Sequence, residues 1–180
     1  MYCSALWQYK DQTMKWYTGR IDPFWETKHR DLEYRRGRYN NLKDLETWEQ
    51  LGLRLNPAGG DVYDMKNIMP DWASPFFTLF KGTNVGISFF RMNTGDILPT
   101  HQDTYEVYRK VNNIIDPATI NRAIIFLEDW RPGHIFEIAG SPITSWKAGD
   151  YVVWNYDVSH MAANLGIQPR YTMQITFTNV

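Results

Sequence analysis

The spacing of apolar residues along the chain changes near residue 82. Before that position, helical and irregular patterns dominate. One apolar series repeats every three residues, at Leu42, Leu45, Trp48 and Leu51. This period predicts a helix that Asn40 or Asn41 can cap and that Gly52 can end. A second short helix is predicted from the series Val62, Met65 and Ile68. Pro70 would stop that helix, and both apolar stripes are expected to face a core.

After residue 82, short apolar runs alternate with turn residues, which predicts strands. The predicted strands are 85–92, 97–104, 121–129, 134–139, 143–147, 150–155, 158–165 and 170–179. Proline, glycine and aspartate punctuate them at 131–133, 140–142 and 147–150. Eight short strands in about 95 residues suit a double-stranded β-helix, or jelly roll, closed over a pocket. The long break at 105–120 is where a lid over a site is expected.

The last predicted strand has two very different faces. Alternation places polar side chains on one face: Arg170, Thr172, Gln174 and Thr176. The other face carries Tyr171, Met173, Ile175 and Phe177. Because Arg170 is expected to face the interior, the apolar face needs a cover, which the N-terminal segment can supply. We therefore predict one domain over 1–180, mostly β with N-terminal helices. In it, a helical and irregular cap at 1–82 packs on a jelly-roll core at 83–180.

Composition and charge limit the partners of the chain. The net charge is −1 over 180 residues, so no overall field favours nucleic acid or a membrane. A basic run at 28–38 contains His29, but Asp31 and Glu33 interrupt it, and we interpret it as a solvated face. The one cysteine, Cys3, cannot form an internal disulfide. With no long apolar run and no secretion signal, we expect a cytoplasmic protein. No pattern predicts its oligomeric state.

Two histidines and one aspartate are the candidate metal ligands. His101 and Asp103 are two residues apart on a predicted strand, so both side chains should project from one face, with Cα atoms roughly 6.5–7 Å apart. His160 lies beside a second predicted strand. Two imidazoles and one carboxylate leave the opposite coordination positions open, which suits Fe(II) and oxygen chemistry. Arg170 adds a planar cation that can bind a carboxylate through two hydrogen bonds.

The surroundings of these ligands resemble the two sequence motifs of the cupin superfamily. Gly95, five residues and then His101 follow the first motif, with Asp103 where most cupins carry a second histidine. The second motif is matched by Gly149, ten residues, His160, three residues and Asn164, although Asn155 stands where proline is usual. The segment GDILPTHQDTY is similar to the metal-binding strand of the prolyl-hydroxylase-like and phytanoyl-CoA-hydroxylase-like Fe(II)/2-oxoglutarate dioxygenases. The resemblance covers about residues 85–180.

This resemblance implies a role for each matched residue. His101, Asp103 and His160 would be the ligands of Fe(II). Arg170 would bind the distal carboxylate of the cosubstrate 2-oxoglutarate, and Thr172 falls at the serine or threonine of the family's Arg-x-Ser/Thr pattern. Buried without a partner, Arg170 would carry a severe desolvation cost, and a dianionic cosubstrate supplies the missing charge.

Further residues are candidates for the pocket. Tyr105 and Arg122 are candidates to bind cosubstrate or substrate, with ordinary packing as the alternative for Tyr105 and an ordinary salt bridge for Arg122. Tyr108, Trp154 and Asn155 are expected to line the site or pack in the core. The implied reaction uses O2 and 2-oxoglutarate to hydroxylate a C–H bond, with release of succinate and CO2. The substrate could be an amino acid, a peptidyl residue or a small metabolite.

Two other functions are compatible with the same residues. One is a cupin metalloenzyme of another reaction class, which would not need Arg170. The other is a non-enzymatic jelly-roll module that binds a sugar or a peptide, since flat aromatic rings suit such ligands and aromatic residues make up 16% of the chain.

Overall fold

The structure is a computed structural model that describes residues 15–37, 39–53 and 59–179. Its strands are β1 (Trp16–Arg20), β2 (Arg35–Arg36), β3 (Asp61–Asp64), β4 (Thr83–Met92), β5 (Ile97–His101), β6 (Ile120–Phe126), β7 (His134–Ile138), β8 (Ser141–Ile143), β9 (Asp150–Asn155), β10 (His160–Asn164) and β11 (Arg170–Thr178). Its α-helices are α1 (Leu42–Gln50) and α2 (Glu106–Asn112), and short 3-10 helices span Lys28–Asp31, Asp71–Thr78 and Pro117–Thr119. Cys3 lies outside the described residues.

The described strands form two antiparallel sheets that face each other. The larger sheet has the order β1-β9-β6-β11-β4-β3-β2, and the smaller has the order β5-β10-β7-β8. The neighbours β1-β9-β6-β11-β4 of the larger sheet and β5-β10-β7 of the smaller are distant in sequence, as in a jelly roll. The predicted fold class, mostly β with N-terminal helices and a double-stranded β-helix, is confirmed. One strand is displaced, because the segment predicted at 143–147 forms β8 at Ser141–Ile143.

The outer face of the larger sheet is covered by the N-terminal segment. Met173 and Ile175 of β11 pack there in one apolar core with Trp25, Ala73 and Phe76 from the segment before β4. The Trp25 indole Nε1 donates a hydrogen bond to the Leu127 carbonyl over 2.9 Å. Its polar atom is therefore satisfied inside an apolar environment, which fixes the orientation of the ring.

The inner face of the same sheet lines the space between the two sheets. Phe126, Phe136, Trp146 and Trp154 belong to a second apolar core there. Arg170, with only 3% of its surface exposed, and Thr172 are buried on the opposite side of β11 from Met173. The alternation along β11 thus separates a purely apolar core from one that contains polar groups.

The second predicted helix does not form, because its residues belong to strand β3. Val62 is buried and pairs with Phe90 of β4, while Asp61 accepts hydrogen bonds from the Arg91 guanidinium. Pairing with the edge of β4 satisfies the backbone N–H and C=O groups of this segment. An isolated short helix would leave many of those groups unpaired and is only marginally stable. Met65 and Ile68 are exposed.

The first predicted helix forms as α1, and the side chain of Asn41 accepts a hydrogen bond from the Asp44 amide. Its apolar stripe is not a core face, however. Trp48 is buried, but Leu42 is 71% exposed and Leu51 is 73% exposed. A spacing of three residues drifts around a helix that needs 3.6 residues per turn, so the ends of the series turn outward.

His29 does not lie on a solvated face as predicted, since its side chain is fully buried. Its Nε2 donates to Glu128 over 2.8 Å, and the Arg30 Nε donates to the same carboxylate over 2.6 Å. The His29 ring also lies edge-on to Tyr171, 5.0 Å between centroids. Burial acts to raise the pKa of Glu128, but the hydrogen bonds from His29 and Arg30 lower it to about 2. These contacts join the N-terminal segment to the barrel.

Gly149 provides a second junction between these regions. Its amide donates to the Phe126 carbonyl over 2.9 Å, and its carbonyl accepts from the Ile21 amide over 3.0 Å. The φ angle of Gly149 is +92°, and a Cβ atom there would lie 2.0 Å from the Ile21 carbonyl oxygen. Only glycine combines this φ angle with so close an approach of two backbones.

Candidate metal centre

The structure brings His101, Asp103 and His160 together between the two sheets. His101 ends β5 and His160 begins β10, and the two residues pair directly across the strands. Strand β5 ends two residues earlier than Asp103, so the aspartate reaches the centre from the following loop and not from the predicted strand. One ligand atom from each residue lies within 4.8 Å of the others. The Asp103 carboxylate is 3.9 Å from the His101 Nε2 and 3.5 Å from the His160 Nε2.

Backbone carbonyls orient both imidazoles toward this point. The His101 Nδ1 lies 2.7 Å from the Pro99 carbonyl, and the His160 Nδ1 lies 3.1 Å from the Val158 carbonyl. A carbonyl only accepts, so in the neutral imidazole each Nδ1 carries the proton and each Nε2 keeps its lone pair. Histidines that bind metals are commonly held in this way. The ring geometry therefore presents two unprotonated nitrogens to one site.

The charge states of two ligands also suit a cation. Burial lowers the pKa of His160 to about 4, although Asp103 opposes that shift, so this imidazole is neutral at physiological pH. Burial acts to raise the pKa of Asp103, but the charge of Arg122 and the two imidazoles hold it below its ordinary value. Metal ligands must be deprotonated to bind. The buried Oδ2 of Asp103 lies 3.4 Å from the Arg122 Nη1 and 3.5 Å from the His160 Nε2 but accepts no close hydrogen bond among the described residues, so it can still bind an ion. The three residues thus fit a divalent transition metal.

Arg170 lies deeper in the same interior, in a box of aromatic rings. Its guanidinium carbon is 5.5 Å from the ring centre of Trp146, 5.7 Å from Phe136 and 5.8 Å from Phe126. Its Nη1 donates to the Met92 sulfur over 3.0 Å, while Nε and Nη2 have no partner in the described part of the chain. Burial lowers the pKa of Arg170 to about 10, so the group stays charged at neutral pH. The box therefore holds a cation without a matching anion.

Thr172 and Trp154 lie in the same interior. Thr172 is buried two residues after Arg170, and its strand neighbours are Phe90 and Phe126. The Trp154 ring is 4.8 Å from the His160 ring and 6.1 Å from the Phe136 ring. It therefore connects the metal ligands to the box around Arg170, and its buried Nε1 has no partner among the described residues.

Arg122 and Tyr105 lie next to the aspartate. The Arg122 Nη1 is 3.4 Å from the Asp103 Oδ2, and the guanidinium carbon is 4.7 Å from the ring centre of Tyr105. Tyr105 is buried with a φ angle of +53°, a left-handed conformation that is unusual for an aromatic residue. Strand pairing places Arg122 opposite Thr176, six residues along β11 from Arg170.

Two other predicted pocket residues point elsewhere. The Asn155 side chain donates to the Asn121 Oδ1 over 3.0 Å, on the face of β6 opposite to Arg122. The Tyr108 hydroxyl donates to the Asn84 carbonyl over 2.7 Å. Tyr108 belongs to α2, which occupies the first part of the segment predicted as a lid. That helix has no buried residue, so it rests on the barrel without an apolar core of its own.

Two aromatic residues of the N-terminal segment contact the metal centre, and sequence reasoning missed their role. The Tyr39 ring lies 5.2 Å from the His101 ring, and the Trp48 ring lies 6.4 Å from it. The Tyr39 hydroxyl donates to Asp44 at the start of α1. Helix α1 thus covers one side of a candidate metal ligand. The large aromatic Trp48 within the apolar series of α1 was the one available signal in the sequence, but it did not specify what the ring covers.

Comparison with known proteins gives similarity of structure but not of sequence. No protein-family model and no curated protein matches the chain. A crystal structure of a Pseudomonas putida prolyl-4-hydroxylase superposes with a TM-score of 0.57 at 15% identity, covering 94% of this chain and 95% of that chain. A cupin protein from Bacteroides fragilis matches with a TM-score of 0.37 at 16% identity, covering 55% and 68% of the two chains. A predicted oxalate decarboxylase from Thermotoga maritima matches with a TM-score of 0.40 at 13% identity, covering 66% and 79%.

The topology and the near-complete superposition on the first of these structures establish a cupin-like double-stranded β-helix. Inside it lies a His-Asp-His group that could hold a metal ion. None of the helices among the described residues is long and apolar enough to cross a membrane.

Proposed function

We propose that this protein is an Fe(II)- and 2-oxoglutarate-dependent dioxygenase that hydroxylates a C–H bond of an amino acid, a peptidyl residue or another small metabolite. The observation that carries the proposal is Arg170, a charged guanidinium in the same interior as the His-Asp-His group, with two nitrogens that have no partner among the described residues. We further propose that the protein acts in the cytoplasm, without nucleic acid or membrane as a partner.

The argument from Arg170 is electrostatic. Removing a guanidinium from water costs several kcal/mol, which proteins ordinarily offset with a paired carboxylate. Among the described residues, no carboxylate forms an ion pair with Arg170, and its one hydrogen-bond acceptor is the weak sulfur of Met92. A ligand carboxylate would accept the two free N–H groups in parallel. Rings on three sides would shield that pair from water and strengthen it.

The metal group supplies the other half of a 2-oxoglutarate site. His101, Asp103 and His160 would hold the ion on one face, which leaves room for a bidentate ligand and for O2. Bound iron would supply oxygen activation, coupled to conversion of 2-oxoglutarate into succinate and CO2. The protein's own residues fix the imidazoles through backbone carbonyls, bind the distal carboxylate at Arg170 and exclude water with the ring of Trp154.

The fold similarity supports this assignment at a coarser level. The Pseudomonas putida structure that matches almost the whole chain is a prolyl-4-hydroxylase, and hydroxylation is the reaction proposed for this chain. The substrate of that protein is not carried over, because the two chains share 15% identity.

The test is anaerobic reconstitution with Fe(II) and 2-oxoglutarate, followed by addition of oxygen. We expect a charge-transfer absorption band when both are bound, and then succinate in amounts that follow the CO2 released. Arg170→Met should weaken 2-oxoglutarate binding, whereas Arg20→Gln, at an exposed ion pair with Asp150, should bind it like the wild type.

Three outcomes would contradict the proposal. Metal binding without any effect of 2-oxoglutarate would favour a cupin metalloenzyme of another reaction class. A protein that binds no metal would favour a jelly-roll binding module. Equal succinate formation by wild type and Asp103→Ala would remove the His-Asp-His group from the reaction.

A further inference from the structure

Resting on the proposed function, we propose that Arg122 binds the primary substrate through a free carboxylate on that substrate. The substrate class is then a small carboxylic acid, such as a free amino acid, and not a residue inside a peptide. In the sequence analysis, Arg122 was a candidate for cosubstrate binding together with Arg170. The structure provides three reasons to separate the two arginines.

The first reason is position. A series of ring contacts runs from Arg170 through Phe136 and Trp154 to His160. Arg122 contacts Asp103 instead. Strand pairing separates the two arginines by six residues along β11, roughly 20 Å between backbones. A 2-oxoglutarate molecule that bound Arg170 and the ion would therefore leave Arg122, which contacts Asp103, to another ligand.

The second reason is charge. In the described part of the chain, Asp103 is the one carboxylate within 4 Å of the Arg122 guanidinium. A divalent ion at the candidate site would bind the same carboxylate. Arg122 would then share with that ion the one counter-ion that it has among the described residues. The ion, two arginines, Asp103 and a dianionic cosubstrate together leave one positive charge in excess inside the protein. One further anion would balance it, and buried charges are stable only when they are balanced.

The third reason is that polar atoms are available. The Arg122 side chain is 13% exposed, and its buried Nε has no partner among the described residues. The buried Tyr105 hydroxyl beside it interacts with both Arg122 and Asp103. The strand neighbours of Arg122 on the inner face are Trp154 and Thr176, neither of which is acidic. The Arg122 guanidinium lies over the Tyr105 ring, 4.7 Å from its centre, and this contact positions it as a donor for a ligand carboxylate.

The experiment uses the full chain loaded with Mn(II) and 2-oxoglutarate, so that binding can be measured without turnover. The probes are the free L-amino acids and C3–C6 monocarboxylic acids, each paired with its carboxamide, which keeps the shape and removes the charge. We expect at least one acid to bind by calorimetry, and its amide to bind about 10- to 100-fold more weakly. Arg122→Gln should remove this difference between acid and amide. Its dissociation constant for 2-oxoglutarate, measured at saturating Mn(II), should stay within about threefold of the wild type, because Arg170 lies roughly 20 Å away along the sheet. Arg20→Gln is the matched control and should behave like the wild type throughout.

The other outcomes overturn the inference in distinguishable ways. If acid and amide bind equally, or if neither binds to protein that holds 2-oxoglutarate, the substrate is not recognised by a carboxylate. If Arg122→Gln weakens 2-oxoglutarate binding instead, Arg122 serves the cosubstrate. If it weakens Mn(II) binding, Arg122 only positions Asp103. Failure of the wild type to bind 2-oxoglutarate at all would contradict the proposed function, and this is seen before any probe is added.

Discussion

The two faces of the larger sheet bury similar rings but treat their polar atoms differently. On the outer face, the Trp25 Nε1 donates to a carbonyl and His29 shares Glu128 with Arg30. On the inner face, Trp154 and Arg170 bury nitrogens that have no partner in the described part of the chain. An unpaired buried donor costs about 1–3 kcal/mol. Among the described residues, the outer face has one such unpaired nitrogen, the His29 Nδ1, whereas Arg122, Trp154 and Arg170 together contribute four on the inner face, so the inner face has the greater need of a ligand.

Loss of the metal ligand Asp103 should have the largest effect on the inner face. Asp103→Ala removes the one anionic ligand of the group, so the affinity for Fe(II) or Mn(II) should fall by more than about 100-fold. Metal analysis after equilibrium dialysis measures this directly, with circular dichroism as the check on folding. A variant that retains its metal would show that the group is not the binding site.

Replacement of Arg170 should separate binding from stability. Arg170→Met removes the guanidinium, so 2-oxoglutarate affinity should fall by about 100-fold, since truncating one partner of a buried charge pair costs 2–5 kcal/mol. Without 2-oxoglutarate, the same variant should be more stable by about 1–4 kcal/mol, because methionine suits an aromatic box and needs no counter-ion. Urea unfolding with and without 2-oxoglutarate tests both signs. A destabilised variant would mean that the arginine already has a partner.

Replacement of one buried tryptophan on each face compares the contribution of their polar atoms to stability most directly. Trp25→Phe should cost about 2–3 kcal/mol, because it leaves the Leu127 carbonyl unpaired and opens a cavity. Trp154→Phe in the ligand-free protein should cost less, because its indole nitrogen has no partner to lose. Chemical denaturation of both variants provides the comparison. Equal costs would mean that the inner face is as well satisfied as the outer face.

The smallest expected effect is a pH dependence on the outer face. The pKa of Glu128 is lowered from 4.5 to about 2, so the folded state favours its ionised form. The stability it contributes is fully present above pH 4.5 and is lost as the pH falls from there toward 2. Glu128→Gln should flatten the stability curve in that window by about 1–2 kcal/mol. Unfolding measured from pH 2 to 7 in both proteins checks this, and parallel curves would exclude the contribution.

The sequence allowed the barrel to be predicted further than the N-terminal segment. Strict alternation along β11 was sufficient to place Arg170 and Met173 on opposite faces, because side-chain direction in a strand depends only on parity. The glycine-aspartate turns and the motif spacing were sufficient to predict that His101 lies near His160. The contact of Tyr39 with His101 depends on how α1 docks, and no local pattern encodes that docking.

Misinterpretations in the N-terminal segment have a common physical cause. A three-residue apolar series is compatible with a short helix or with a strand. Val62 lies in a strand because its segment forms backbone hydrogen bonds with the edge of β4. The charge run around His29 seemed solvated because its partner, Glu128, is about 100 residues away in sequence. Long-range partners decide such cases, and one sequence does not reveal them.

Gly149 is the first residue of the motif that leads to His160, yet its close neighbour is the Ile21 carbonyl of the N-terminal segment. Its place in that motif would explain this glycine by the geometry of the barrel alone. In this molecule, the same position also sets how near a second piece of chain can come. The absence of one side chain at Gly149 therefore serves both the turn before β9 and the packing of the N-terminal segment against the barrel.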